Sequence, residues 1–323
     1  MKKFILNLLA LFVMCFFGLS SANAEHHEIG TVEFTRTQLT GIGPHDKVSR
    51  RDPSDVIKVG DLYYIWYSRG PVKTGYNATV WCATSEDGFE WTEVGEAVGK
   101  NPDDTAWDAA SVFTPNILVA EGKYWLFYTG ISKNMKVKPD SKIGIAVSES
   151  PAGPWERLPN NPVLKNGPNK ADFDSHLVDD SCLIMRDGKY WFYYKGRQLG
   201  KSPSQTQMGL AIADKPGGPY VRHEANPVIP GNHEVVVWPQ GTGVAAMIGK
   251  VGPKAIVHTI QFAEDGVNFK RTHKTEGEAF AGGTYRPEAF TDSNQGEVPT
   301  WGVEIGNGKK LHCIQRFDLE LSE

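Results

Sequence analysis

One hairpin is written three times along this chain. Val59-Gly60-Asp61-Leu62-Tyr63-Tyr64-Ile65-Trp66-Tyr67-Ser68, Ala120-Glu121-Gly122-Lys123-Tyr124-Trp125-Leu126-Phe127-Tyr128-Thr129 and Arg186-Asp187-Gly188-Lys189-Tyr190-Trp191-Phe192-Tyr193-Tyr194-Lys195 each join a turn to an aromatic strand, and a β-branched strand precedes each. Such runs on either side of a Gly, Asp or Lys turn predict a β-hairpin. The turn glycines, Gly60, Gly122 and Gly188, recur at intervals of about 60 to 66 residues. A second element follows each hairpin: a strand meets a Gly/Pro/Asp turn and restarts on an aromatic residue, as at Glu86-Asp87-Gly88-Phe89-Glu90-Trp91, Ser150 to Trp155, Lys215 to Tyr220 and Glu264 to Phe269. Four strands per unit at this period predict the blades of a β-propeller.

The first strands of five blades are expected near Asp52, Ser111, Asp180, Glu234 and Arg286, with Thr31 to Phe34 available to pair in the last blade and close the ring. A β-sandwich of similar size would not require the same hairpin to recur. The all-β reading covers residues 25–323. Residues 1–24 read as a secretory signal: Lys2 and Lys3, an apolar run from Phe4 to Leu19, then Ala22-Asn23-Ala24. The run is too short for a retained membrane span, and Cys15 lacks a lipoprotein setting, so the expectation is a secreted or periplasmic protein with no membrane anchor.

Removing that segment leaves 323 − 24 = 299 residues and shifts the formal charge from −4 to −6. Nucleic acid is disfavoured as a partner, because phosphate neutralisation needs a basic face. Cys82, Cys182 and Cys313 are scattered, without metal-ligand spacing, and read as buried small apolar residues.

In a small propeller the first strands line the central channel, so polar residues leading into them converge on one cavity. Three such stretches carry acids or imidazole: Arg50-Arg51-Asp52-Pro53-Ser54, Phe173 to Cys182 and Gly231 to Pro239, with Asp52, Asp180, His233 and Glu234 as the reactive groups. Groups of this kind ahead of apolar strands are costly unless paired or facing a wet pocket. Facing carboxylates suit glycoside cleavage, in which one group protonates the leaving oxygen and another activates water. Taken singly, each acid reads equally as a turn cap. Adjacent strand residues point to opposite faces, so His233 and Glu234 are expected to divide, one facing the cavity and one behind it, unless a bulge intervenes.

These strings resemble glycoside hydrolase family 117. The resemblance runs from Arg50 to Glu288 and rests on Arg50 to Ser54, Val112-Phe113-Thr114-Pro115, Phe173-Asp174-Ser175-His176, Tyr193-Tyr194-Lys195-Gly196, Gly231 to Pro239 and Ala263 to Gly266. It departs at Asp179-Asp180-Ser181-Cys182, where the family has His-Asp-Pro-Cys. The resemblance implies a five-bladed propeller that cleaves terminal α-1,3-linked 3,6-anhydro-L-galactose from agar oligosaccharides. It implies Asp52 as general base, Asp180 as the carboxylate that orients the acid, and His233 as an imidazole acid beside Glu234. Arg51, Trp107, His176, Trp238, Arg286 and Glu288 are the expected substrate contacts, although Trp107 and Trp238 read equally as blade packing and Arg286 as half of a structural ion pair. No cofactor is required, a divalent cation in the central cavity is left open, and so is the choice between monomer and dimer. A family 43-like arabinofuranosidase or galactosidase and a non-catalytic sugar-binding propeller are the alternatives.

Overall fold

The structure is a computed structural model and describes residues 31–73, 77–132, 141–229, 235–249, 258–275, 282–293, 295–308 and 310–322. Over these residues the chain forms five antiparallel sheets. Blade 1 pairs two short inner strands, Ser49–Arg51 and Ile57–Val59, with Leu62–Gly70, followed by Thr79–Ser85 and Thr92–Val98. Blade 2 is Ser111–Ala120, Lys123–Ile131, Ser141–Ser148 and Glu156–Arg157; blade 3 is Leu177–Arg186, Lys189–Arg197, Gln207–Ala213 and Val221–Arg222. Blade 4 is Val235–Gln240, Gly243–Ile248, Thr259–Ala263 and Lys270–Lys274. Blade 5 is Gly283–Thr284, Trp301–Asn307, His312–Ser322 and, outermost, Thr31–Gln38. Each inner strand begins within three residues of its expected position. No helix among the described residues is long and apolar enough to cross a membrane.

The hairpins follow from turn chemistry. Glu121 and Gly122 have φ of 53° and 70°, and Asp187 and Gly188 have 54° and 68°, the left-handed pair that matches the twist of a two-residue hairpin. The second strands are aromatic on both faces because blades stack face to face, so Trp66, Tyr67, Phe127, Tyr128, Phe192, Tyr193 and Tyr194 are all fully buried.

Each junction between neighbouring blades holds its own buried cluster. Blades 1 and 2 share Trp66, Val112 and Leu126, blades 2 and 3 share Phe127 and Phe192, and blades 3 and 4 share Tyr193 and Val244. Blades 4 and 5 share Trp238 and Phe317, and blades 5 and 1 share Tyr67 and Val303. That series returns to its start, which is a closed ring. Closure is completed by Thr31–Gln38, which pairs along its whole length with His312–Ser322, from Thr31 opposite Ser322 to Gln38 opposite Gln315. The guanidinium of Arg316 then lies 4.1 Å over Phe89 of blade 1 and 4.1 Å over Trp301 of blade 5.

The segments entering blades 2 and 3 are built alike. Trp107 lies over Gly130 and Gly144, and Phe173 lies over Gly196 and Gly209, where a β-carbon on any of these glycines would fall within 2.7 Å of the ring. The next residue is a buried aspartate: Asp108 accepts from Tyr128 (3.1 Å) and Arg157 (2.9 Å), and Asp174 accepts from Tyr194 (2.9 Å) and Arg222 (2.8 Å). In blade 1 the equivalent Tyr67 donates to Glu93 (2.7 Å), which Arg50 also engages (3.0 Å). Burial first, then the neighbouring carboxylate, pushes these tyrosines above their ordinary value, so they remain neutral donors.

Candidate active site

The inner strands of blades 1, 2 and 3 break register at the same level. In blade 3, Asp179 pairs with Lys195 and Ser181 with Tyr194, which leaves Asp180 as an extra residue. In blade 2 the register shifts between Phe113 and Asn116, around Thr114. In blade 1 the strand is interrupted between Arg51 and Ile57, where Pro53 cannot donate to the ladder. Asp52, Thr114 and Asp180 take φ of 49°, 44° and 47°. A bulge of this kind re-aims its side chain out of the alternating pattern, and here it does so three times.

The three residues line one pocket that opens to solvent, together with Asp55, Asn116, Ser181, Cys182, Val235 and Val236. Asp52 and Asp180 are therefore brought together from opposite parts of the sequence. Their partners differ. Asp52 accepts from Arg51 through Nε (2.7 Å) and Nη2 (3.1 Å) and from Ser68 Oγ (3.3 Å). Asp180 accepts from the ammonium of Lys195, which also stands 3.4 Å from Asp179 and is only 4% exposed. Beneath them Asp55 accepts from the backbone of Thr284 (2.8 Å) and pairs with Arg286, and Asn116 bridges blade 1 to blade 3 by accepting from Asp55 N–H (3.0 Å) and donating to Ser181 O (2.6 Å).

Two neighbours are excluded from nucleophilic and acid roles. Burial pushes the Cys182 thiol up to about 11, so it is protonated and unreactive. His312, on the third strand of blade 5, is held below the ordinary histidine value by burial and then by Arg51 and Lys73, which keeps it neutral at pH 7. No cluster of three or more His, Cys, Asp or Glu suited to a metal occurs among the described residues.

Several expected contacts lie elsewhere. Arg286 is 2% exposed and spends its charge on Asp55: it is a structural ion pair, not a sugar ligand. Burial opposes its charge, and Asp55 more than offsets this. Trp238 is 2% exposed, packed in the cluster between blades 4 and 5, with Nε1 donating to Gln240 (2.9 Å); no face is left for a sugar. Trp107 covers two glycines of blade 2, as Phe173 does in blade 3. Glu288 is exposed on the short 3-10 helix Pro287–Phe290. Just beyond that helix Asp292 accepts from Gly188 N–H at the blade 3 hairpin, the end of the strand opposite Asp180. Arg51 is close to the cavity but is committed to Asp52 and to Lys73 O (2.6 Å). His176 is half-buried just ahead of the blade 3 inner strand, its backbone N–H donating to the backbone carbonyl of Arg197 (3.0 Å). His233 and Glu234 lie outside the described residues, as do residues 1–24; Val235, next in sequence, lines the cavity.

Lys195, Ser68 and Asn116 were not anticipated. The signal was in the hairpin alignment, where Ser68, Thr129 and Lys195 end the three repeated strings and one ammonium stands in a hydroxyl position.

The profile of glycosyl hydrolases family 43 matches residues 44–182. The chain is 25% identical over 170 residues to the insoluble β-fructofuranosidase isoenzyme CWINV3 of Arabidopsis thaliana and 25% identical over 168 residues to an extracellular endo-α-(1→5)-L-arabinanase of Thermotoga petrophila. These matches take in 51% and 44% of this chain but only 27% and 33% of the relatives' length. Among solved structures, Zg3597, a family 117 glycoside hydrolase produced by the marine bacterium Zobellia galactanivorans, superposes with a TM-score of 0.82 at 32% identity, covering 91% of this chain and 92% of that one. With the same ring along nine-tenths of both chains, this protein is a glycoside hydrolase and belongs to family 117.

Proposed function

We propose that the enzyme removes a terminal α-1,3-linked 3,6-anhydro-L-galactose, or a closely related sugar, from agar-type galactan oligosaccharides, with inversion at the anomeric carbon. The observation that carries this reading is the convergence of Asp52 and Asp180 on one open cavity, with different cations at each. In this reading Asp52 takes a proton from water as the water oxygen bonds to the anomeric carbon. The glycosidic C–O bond breaks on the other side, and the departing hydroxyl receives its proton from His233, with Glu234 beside it. Asp180 orients that donor. A neighbouring carboxylate favours the charged imidazole, which suits it to donate near neutrality. Export through Met1 to Ala24 belongs to the same reading, since a polymer-derived substrate is met outside the cytoplasm.

The test is a panel of agar, carrageenan, porphyran and arabinan oligosaccharides, with products identified by mass. Release of one terminal anhydro-sugar per turnover from the agar series is expected. Cleavage of arabinan alone would replace the substrate while leaving the cavity assignment in place.

Trp107 gives a subsidiary prediction. Trp107→Phe, which copies the blade 3 arrangement, is expected to lower Tm through a cavity costing about 1–2 kcal/mol and to leave KM within about two-fold. A large rise in KM with unchanged Tm would return Trp107 to the sugar.

A further inference from the structure

Ser68, Thr129 and Lys195 hold the same register on the second strands of blades 1, 2 and 3, across from Arg51, Phe113 and Asp179. Each reaches the bulged residue of its own blade: Ser68 Oγ donates to Asp52 Oδ2 (3.3 Å), the hydroxyls of Thr129 and Thr114 share a hydrogen bond (2.5 Å), and Lys195 Nζ donates to Asp180. Ser68 is fully buried, and its own orientation is fixed from the next blade. The backbone N–H of Thr114 donates to Ser68 Oγ at 2.8 Å. With that lone pair occupied, the Ser68 proton is turned toward Asp52. The amide is aimed this way because Thr114, a β-branched residue, is held at φ 44°, a conformation that costs free energy and persists only where surrounding contacts enforce it.

We propose that Ser68 is a positioning residue for the general base, and that the relay from Thr114 N–H through Ser68 Oγ–H to Asp52 sets the base from the neighbouring blade. This rests on Asp52 as the base. In this register Asp180 receives its cation, Lys195, whereas Asp52 receives a neutral hydroxyl and takes its cation, Arg51, from its own strand. Arg51 restrains Asp52 from its own strand, and Ser68 restrains it from behind.

Ser68→Ala and Ser68→Thr are compared on the panel oligosaccharide that the wild-type protein cleaves fastest. Loss of a hydrogen bond to a charged group predicts a fall in kcat of about 10- to 100-fold for Ser68→Ala, with KM within about two-fold and little change in Tm. Ser68→Thr, which restores the hydroxyl and copies Thr129, is expected to recover most of that loss. If Ser68→Ala does not fold, Ser68→Cys, with its weak donor, should show the same kcat loss. Unchanged kcat in Ser68→Ala, or equal losses in kcat, KM and Tm that Thr does not repair, overturns the relay. Failure of the base assignment reads differently: Asp52→Asn would then stay active whatever Ser68 variants do.

Discussion

Asp52→Asn is expected to lower kcat by about 10²- to 10⁴-fold, the usual yield of a positioned acid or base, while sugar affinity stays within a few-fold of wild type. The amide keeps the volume of the carboxylate and one oxygen for Arg51 Nε and Ser68 Oγ, and gives up the bond from Arg51 Nη2, which belongs to a partly exposed guanidinium that solvent can reach. What it loses is the ability to take a proton from water. Kinetics for kcat and calorimetry for binding separate the outcomes: equal loss of turnover and affinity would make Asp52 a structural residue, and full activity would remove it from the mechanism.

Arg286→Met is expected to give the largest loss of stability. It strands Asp55, which is 1% exposed, as an unpaired buried charge among residues of blades 1, 2 and 5. Breaking such a pair costs about 3–5 kcal/mol, and for a domain above 150 residues this corresponds to a fall in Tm on the order of 10 °C. Adding Asp55→Asn should recover much of the loss, because the amide oxygen still accepts from Thr284 N–H and no charge is left uncompensated. Thermal melts of the single and double variants check this. A double variant no more stable than Arg286→Met would mean that the charge is not the cause.

The ring was legible because each blade has to bury both faces of its second strand. That requirement writes runs such as Tyr-Tyr-Ile-Trp-Tyr and Tyr-Trp-Phe-Tyr-Tyr into the chain at a fixed period, and the turn glycines mark where each run begins. Ring closure was readable over Thr31 to Phe34, since the last blade matched the four-strand pattern poorly, and the strand runs on to Gln38. Asp52 and Asp180 were readable as polar residues leading into apolar inner strands.

The bulges were not. Strict alternation separates neighbours onto opposite faces, yet Asp179 and Asp180 both reach Lys195, and Arg51 touches Asp52. Alternation is a property of regular pleat, and the left-handed residue at the inner strand of blades 1, 2 and 3 removes it there. The substrate roles expected for Trp238 and Arg286 fail for a related reason: side-chain chemistry names what a residue could bind, while burial decides whether anything can reach it. Glu288 is absent from the pocket lining and exposed on a short 3-10 helix, and no periodic signal marks a helix of four residues.

The most direct test of Asp52 as a base acting opposite the leaving group uses Asp52→Gly with added azide. The small anion can occupy the space of the missing carboxylate and its water, attack the anomeric carbon and displace the leaving sugar, whose oxygen is protonated by the intact acid. The account predicts that azide restores turnover and that the product is a glycosyl azide of anomeric configuration opposite to that of the substrate. No rescue, or a glycosyl azide with retained configuration, would contradict direct displacement at this site.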